Sequence, residues 1–321
     1  MTEKFNSLTK RECAERLLQI ENPVVAMHVH PDADTVGSAA ALIAVFRALG
    51  REAKYICADK IPERLAFLLR GIAPAESAGE GVGVAIDVAS PSQLGSLYGE
   101  LDVALMIDHH EVGVPFAPYY TIGGASSAGE VLFGVVCELC DMGYIKLTRD
   151  IAEPLYAAIS SDTGRFSYAS TTPDTYRAAA ALIEAGADHA RINHLLFSSK
   201  APEQIAAEGI VASKIELYFD GRVSAVTLSR ADRRAIPFEY FETSVDVVRS
   251  VRGVEIAFII KETEDGKIKA SLRSTHHDVS AIAKQLSGGG HTLAAGCTVP
   301  AKSVTEARDV ILEKIKSVIG F

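Results

Sequence analysis

The run VVAMHVHPDADTVGS (residues 24–38) sets two kinds of chemistry side by side. VVAM is a continuous apolar segment, the pattern of a strand buried on both faces. Directly after it come His28, His30, Asp32 and Asp34. Polar groups this dense beside a buried segment are costly unless something satisfies them. GSAAALIAVFRALG (37–50) then reads as a helix closed by Gly50. Strand, polar loop and helix make the opening unit of an α/β fold. The loop has two readings. In the first it is a solvated helix start, with Asp34 or Thr35 as N-cap. That accounts for one residue and leaves the others unexplained. In the second it is half of a metal site, because imidazole with carboxylates suits Mn²⁺, Mg²⁺ or Fe better than a thiolate-rich zinc site does. Spacing favours His28 over His30 as the imidazole.

Working outward, AKYIC (53–57), VGVAID (82–87) and DVALMID (102–108) repeat the strand pattern between helical or turn-rich stretches. Such runs predict a parallel sheet with helices on both faces. The apolar runs stop at His28, Asp87 and Asp108, and ligands of open α/β sheets bind at the carboxyl ends of the strands. These three residues are therefore expected along one sheet edge. His109 and His110 follow Asp108 at once. Adjacent histidines at a strand end diverge, so one can hold a metal while the other reaches a ligand.

Helical patterns fill most of 126–211, and the texture changes near 215. IELYFDGRVSAVTLS and EIAFIIKETEDGKIKASLRS each read as a hairpin turning at Asp-Gly, at 220–221 and 265–266. The second unit is thus expected to be α+β with antiparallel pairing. The expected division is a first, metal-site domain over 1–190, a helical connector over 191–214 and a smaller domain over 215–321. In SLRS (271–274) and SGGGHTLAAG (287–296), Arg273 offers a fork for phosphate, while Gly288, Gly289 and Gly290 form a loop whose amides can approach an anion. His276-His277-Asp278 imitates a ligand cluster, but Asp278 is better explained as the N-cap of DVSAIAKQL. His189, His194 and GEGVG (79–83) lack companions.

At 321 residues, 48% of them hydrophobic, the chain can bury a core in each of two domains. No apolar run is long enough to span a membrane, and the N-terminus has no h-region, so a cytoplasmic protein is expected. Five cysteines make no disulfide framework; Cys137-x-x-Cys140 lies in an apolar helical stretch and reads as core. A net charge of −9 without a basic run argues against a grip on long duplex DNA. Small phosphorylated ligands stay open.

Taken together, HVHPDADTVGS, VAID, MIDHH, SSDTGRF, LRS and GGGHTLAAG resemble, in order, the motifs of the DHH/DHHA1 phosphoesterase family. The resemblance runs from about residue 22 to 315, and the short two-domain layout is similar to the NrnA-like group. It implies a DHH domain, a DHHA1 domain and an active-site cleft between them. It also implies two divalent ions, Mn²⁺ foremost and Mg²⁺, Co²⁺ or Fe²⁺ as alternatives. His28, Asp32 and Asp87 would hold one ion; Asp34, Asp87, His109 and Asp162 the other. His110 would face the scissile phosphate with Asp108 beside it. Arg273, Ser274, Gly288, Gly289, Gly290 and His291 would bind substrate. Ser287 stands where the family often has a further glycine. The substrates implied are very short RNAs, dinucleotides such as pApA, and 3′-phosphoadenosine 5′-phosphate. Cyclic dinucleotides and pyrophosphate are alternatives, and a homodimer is compatible with the layout. The contrasting class is a nucleotide-binding module without turnover, yet all six ligand positions are intact here.

Overall fold

A computed structural model describes residues 5–110, 112–233, 236–241 and 244–320, with all their side chains except those of Glu239 and His291. The chain forms two compact units, residues 1–199 and 200–321. Within the expected connector, the π-helical turn His194–Ser198 falls in the first unit and the helix Pro202–Ser213 in the second.

The first unit is built on five parallel strands, β1 (Pro23–Ala26), β2 (Lys54–Ile56), β3 (Val82–Ile86), β4 (Val103–Asp108) and β5 (Tyr119–Thr121), in the order β2-β1-β3-β4-β5. Four were expected. The fifth, three residues long, is too short to carry a pattern of its own and owes its place to pairing with β4. Side chains alternate between faces, as the pleat demands. Val25, Met27, Val84, Ile86, Leu105 and Ile107 enter one core, while Val24, Ala26, Ala85 and Met106 enter another. The first face carries α1 (Lys10–Gln19), α2 (Ala33–Ala48), α3 (Ala128–Asp141) and α4 (Arg149–Asp162). The opposite face is covered by 3₁₀ turns at Ala78–Glu80 and Pro91–Leu97.

Helix α2 is the centre of this layer, with 13 of its 16 residues buried. Its alanines allow close packing. Gly37 is required, since a Cβ there would lie 2.6 Å from the Pro154 carbonyl oxygen of α4. That close approach sets the first turn of α2 beside the later turns of α4, which end at Asp162.

The second unit has a six-stranded sheet in the order β10-β11-β9-β8-β7-β6, formed by β6 (Glu216–Tyr218), β7 (Val223–Leu228), β8 (Ile256–Glu262), β9 (Ile268–Ser274), β10 (Gly289–His291) and β11 (Ala294–Thr298). Both hairpins turn where expected, at Asp220-Gly221 and Asp265-Gly266. The sheet is mixed rather than wholly antiparallel, because β7 and β8 run parallel. The intervening segment includes the short helix Val245–Arg249, which carries the chain back as a crossover. A second correction concerns the glycines. Instead of a loop, Gly289, Gly290 and His291 form an edge strand paired to Gly296, Ala295 and Ala294. Among the described residues no helix is long and apolar enough to cross a membrane.

Candidate metal centre

The carboxyl ends of β1, β3 and β4 deliver His28, Asp87 and the pair His109-His110 to one place. Helix starts and ends supply the rest. Asp32 is the N-cap of α2 and accepts from the Thr35 amide at 3.0 Å. The cap is thus neither Asp34 nor Thr35, and one carboxylate both starts the helix and faces the cluster. Asp34, in the first turn, is buried; Asp162 is the last residue of α4.

Asp87 is the hub. Its Oδ2 lies 3.4 Å from His28 Nε2, and its Oδ1 lies 3.6 Å from His109 Nε2. His28 Nε2 is also 3.9 Å from Asp32 Oδ1. His109 Nε2 is 3.9 Å from Asp34 Oδ2 and 3.7 Å from Asp162 Oδ2. Three overlapping groups can each offer ligand atoms to an ion: His28, Asp32 and Asp87; Asp34, His109 and Asp162; and Asp87 with His109 and His110. All six expected ligands are therefore brought together.

Main-chain groups orient the imidazoles. His28 Nδ1 faces the Val29 carbonyl at 2.7 Å, and His109 Nδ1 faces that of Ala125 at 3.3 Å. A carbonyl only accepts, so each Nδ1 is the N–H and each Nε2 is turned to the carboxylates. Outer hydrogen bonds of this kind set the tautomer of metal-binding histidines. Asp34 is held by the amides of Ala128 and Gly129, at 2.7 and 3.0 Å, and by the Ser38 hydroxyl at 3.1 Å. Thr35 Oγ1 donates to Asp87 Oδ2. None of these supports was anticipated. Only the S-x-x-E spacing of Ser127 and Glu130 at the start of α3 signals where its free amides lie.

Two features of Asp87 mark a constrained position. Its φ is 58°, a left-handed conformation costly for a residue with a Cβ, and its amide is tied to the Ile107 carbonyl at 2.9 Å. Its Oδ1 is buried without a hydrogen-bond partner. A buried carboxylate oxygen beside an imidazole nitrogen, among further carboxylates, is a donor set fitted to a divalent cation rather than to water.

The titration of the cluster agrees. Burial, followed by the charges of Asp87 and Asp162, drives the Asp34 carboxyl well above the usual range. Burial likewise lifts Asp162 to about 7, with His109 opposing and Asp32 and Asp87 adding to the rise. At His28 burial works against charge, but the hydrogen bond and negative charge of Asp87 outweigh it and raise the imidazole to about 9. For Asp87, burial is overcome by His28, His109 and His110, which hold it below its ordinary value.

His110 diverges from His109, their rings tilted by 56°, and its Nδ1 meets buried Asp108 Oδ1 at 2.8 Å. In the second unit Arg273, on β9, donates from Nη1 to the Leu272 carbonyl at 3.0 Å. Ser274 is buried, its Oγ accepting from the amides of His276 and His277 at 3.2 and 2.8 Å. Gly288 and Gly290 press on β11, where a Cβ would come 2.2 Å from the Gly296 oxygen and 2.4 Å from that of Ala294, while Gly289 faces open space. The His291 side chain lies outside the described residues.

The profile of the DHH family, N-terminal domain, matches residues 22–159, and that of the DHHA1 domain matches residues 241–319. A bifunctional oligoribonuclease and PAP phosphatase NrnA from Thermus thermophilus is 32% identical, covering 95% of this chain and 93% of its own. The Bacillus subtilis protein of the same name is 26% identical over 90% of this chain and 93% of its own. An exopolyphosphatase-related protein from Bacteroides fragilis shares the fold, with a TM-score of 0.86, 21% identity and 96% of both chains covered. Fold and site together define a phosphoester hydrolase. The chain belongs to the DHH/DHHA1 family, in its NrnA-like branch.

Proposed function

We propose that this chain hydrolyses very short oligoribonucleotides, including dinucleotides such as pApA, to mononucleotides, and 3′-phosphoadenosine 5′-phosphate to AMP, in the cytoplasm. The observation that carries the reading is the division of Asp87, whose two oxygens face two different histidines. A carboxylate so placed suits a pair of divalent ions, one with His28 and Asp32, the other with Asp34, His109 and Asp162. Mn²⁺ is the first choice for such an oxygen-rich, imidazole-containing set. Two bound ions would supply charge at the phosphoryl oxygens and lower the pKa of a bound water.

The chain's own residues do the rest. Asp108 fixes His110 so that its Nε2 can carry a proton to the leaving oxygen, or steady the charge that develops there. Arg273, Ser274, the glycines 288–290 and His291 are assigned to gripping the substrate phosphate and its backbone. The two NrnA relatives, matched over most of their length, support the substrate class. The net charge of −9 fits substrates of a few nucleotides rather than long polymers.

The test is hydrolysis of pApA and 3′-phosphoadenosine 5′-phosphate with added Mn²⁺, beside Asp87→Ala, with cyclic di-AMP and pyrophosphate as comparison substrates. AMP release that needs Mn²⁺ and disappears in the variant is expected. Binding of either nucleotide without turnover would instead mark a nucleotide-binding module. Preference for cyclic di-AMP or pyrophosphate would reassign the substrate.

A further inference from the structure

Outside this centre, among the described residues, one group of side chains has metal-ligand geometry and no part in the proposed chemistry. Glu255, just before β8, faces His276 and His277 on the loop between β9 and the helix Val279–Lys284. His277 Nε2 lies 2.8 Å from Glu255 Oε2, and His276 Nε2 lies 3.7 Å from the same oxygen. Their ligand atoms all fall within 4.8 Å of one another. Asp278, as expected, caps that helix, accepting from the Ala281 amide at 3.1 Å, so it takes no share in the group.

Backbone contacts prepare the loop. The Thr275 amide donates to the Glu255 carbonyl at 3.0 Å, and Ser274 Oγ accepts from both histidine amides. His276 Nδ1 pairs with the Thr275 hydroxyl at 2.8 Å, which turns Nε2 towards the carboxylate. This is the outer-contact arrangement that orients imidazole ligands. Arg222 forks Glu255, Nε to Oε1 and Nη2 to Oε2, both at 2.9 Å. The fork fixes the carboxylate, and the opposed charges of Arg222 and Glu255 leave the imidazoles as the principal donors. A carboxylate oxygen has more than one lone pair, so Oε2 can accept from Arg222 and still serve an ion.

We propose that Glu255, His276 and His277 form a separate site for a borderline divalent ion such as Zn²⁺ or Ni²⁺. Two imidazoles and one shared carboxylate suit those ions and give a hard ion such as Mg²⁺ too few oxygens. The site is open, since the His276 side chain is 61% exposed, and water can complete the coordination. On binding, the proton that His277 Nε2 shares with Glu255 is released or moves to Nδ1.

Metal-stripped protein is titrated with Zn²⁺ by calorimetry, and native mass spectrometry counts the ions, beside His276→Ala and His277→Ala. Each variant is expected to bind one Zn²⁺ fewer than wild type. The exposed His276 can be truncated with no change in the melting midpoint of the stripped protein. Equal ion counts in wild type and both variants would overturn the site. The readout is a difference in count at residues remote in sequence from the DHH ligands, so it stands whether or not the phosphoesterase reading survives.

Discussion

Asp108 Oδ1 sits 2.8 Å from His110 Nδ1, a carboxylate and an imidazole two residues apart at the end of one strand. Asp108 is buried, and its charge helps raise the His110 pKa against the opposing effect of burial. The aspartate of the MIDHH motif therefore positions a histidine.

Asp108→Asn is expected to lower kcat by about 10²–10⁴-fold, the scale of a lost general acid, with bound metal unchanged. His110→Gln should do the same. The double variant should lose no more than His110→Gln alone, because the two act as a unit. Metal analysis beside steady-state kinetics on pApA checks this; loss of metal from Asp108→Asn would make it a ligand.

Thr35 is fully buried, and its hydroxyl donates to Asp87 Oδ2. Thr35→Val keeps the shape of the side chain and deletes that donor. A fall of about 10–100-fold in metal affinity or activity is expected. Thr35→Ser should retain most of both, and competition with a metallochromic chelator measures the difference.

Gly129 stands where α3 meets α2 and α4. A Cβ there would lie 2.6 Å from Ala158 Cβ and 3.4 Å from Asp34 Oδ1. Gly129→Ala should cost about 1–3 kcal/mol by overpacking, seen in denaturant unfolding. It should also weaken metal binding, because the amides that hold Asp34 move with the helix.

Glu255 is held at about 2, first by the hydrogen bond from Arg222 and then by that from His277. A carboxyl lowered by folding stabilises the native state above its unfolded pKa. That stability is lost as pH falls from about 4.5 towards 2. Glu255→Gln should accordingly be less stable than wild type at pH 7, with the gap closing in acid. A gap constant between pH 7 and pH 3 would contradict it.

Much of the centre was legible because buried parallel strands are written as unbroken apolar runs, so the residue that breaks each run marks the ligand edge. His28, Asp87 and Asp108 were found that way. Asp162 was not, since an aspartate closing a helix looks like any turn residue until α4 packs on α2. Thr35 and Ser38 were hidden for a similar reason: hydroxyls inside an alanine-rich helix show their partners only after strands distant in sequence arrive. The glycines at 288–290 misled in the opposite sense. Glycine has little intrinsic strand preference, yet pairing with β11 makes Gly289 and Gly290 part of an edge strand. Ser287, at φ 55°, occupies a conformation that glycine adopts more readily.

Apart from the Ser38 hydroxyl on Asp34, the groups that aim His28, His109 and Asp34 are main-chain atoms of Val29, Ala125, Ala128 and Gly129. Point substitution cannot delete a carbonyl or, short of proline, an amide. The alignment of these side chains therefore follows the path of the main chain and is exposed above all to changes in length. One residue added between Ala125 and Gly129 would misdirect an imidazole and a carboxylate together. At this part of the centre, information is stored as spacing.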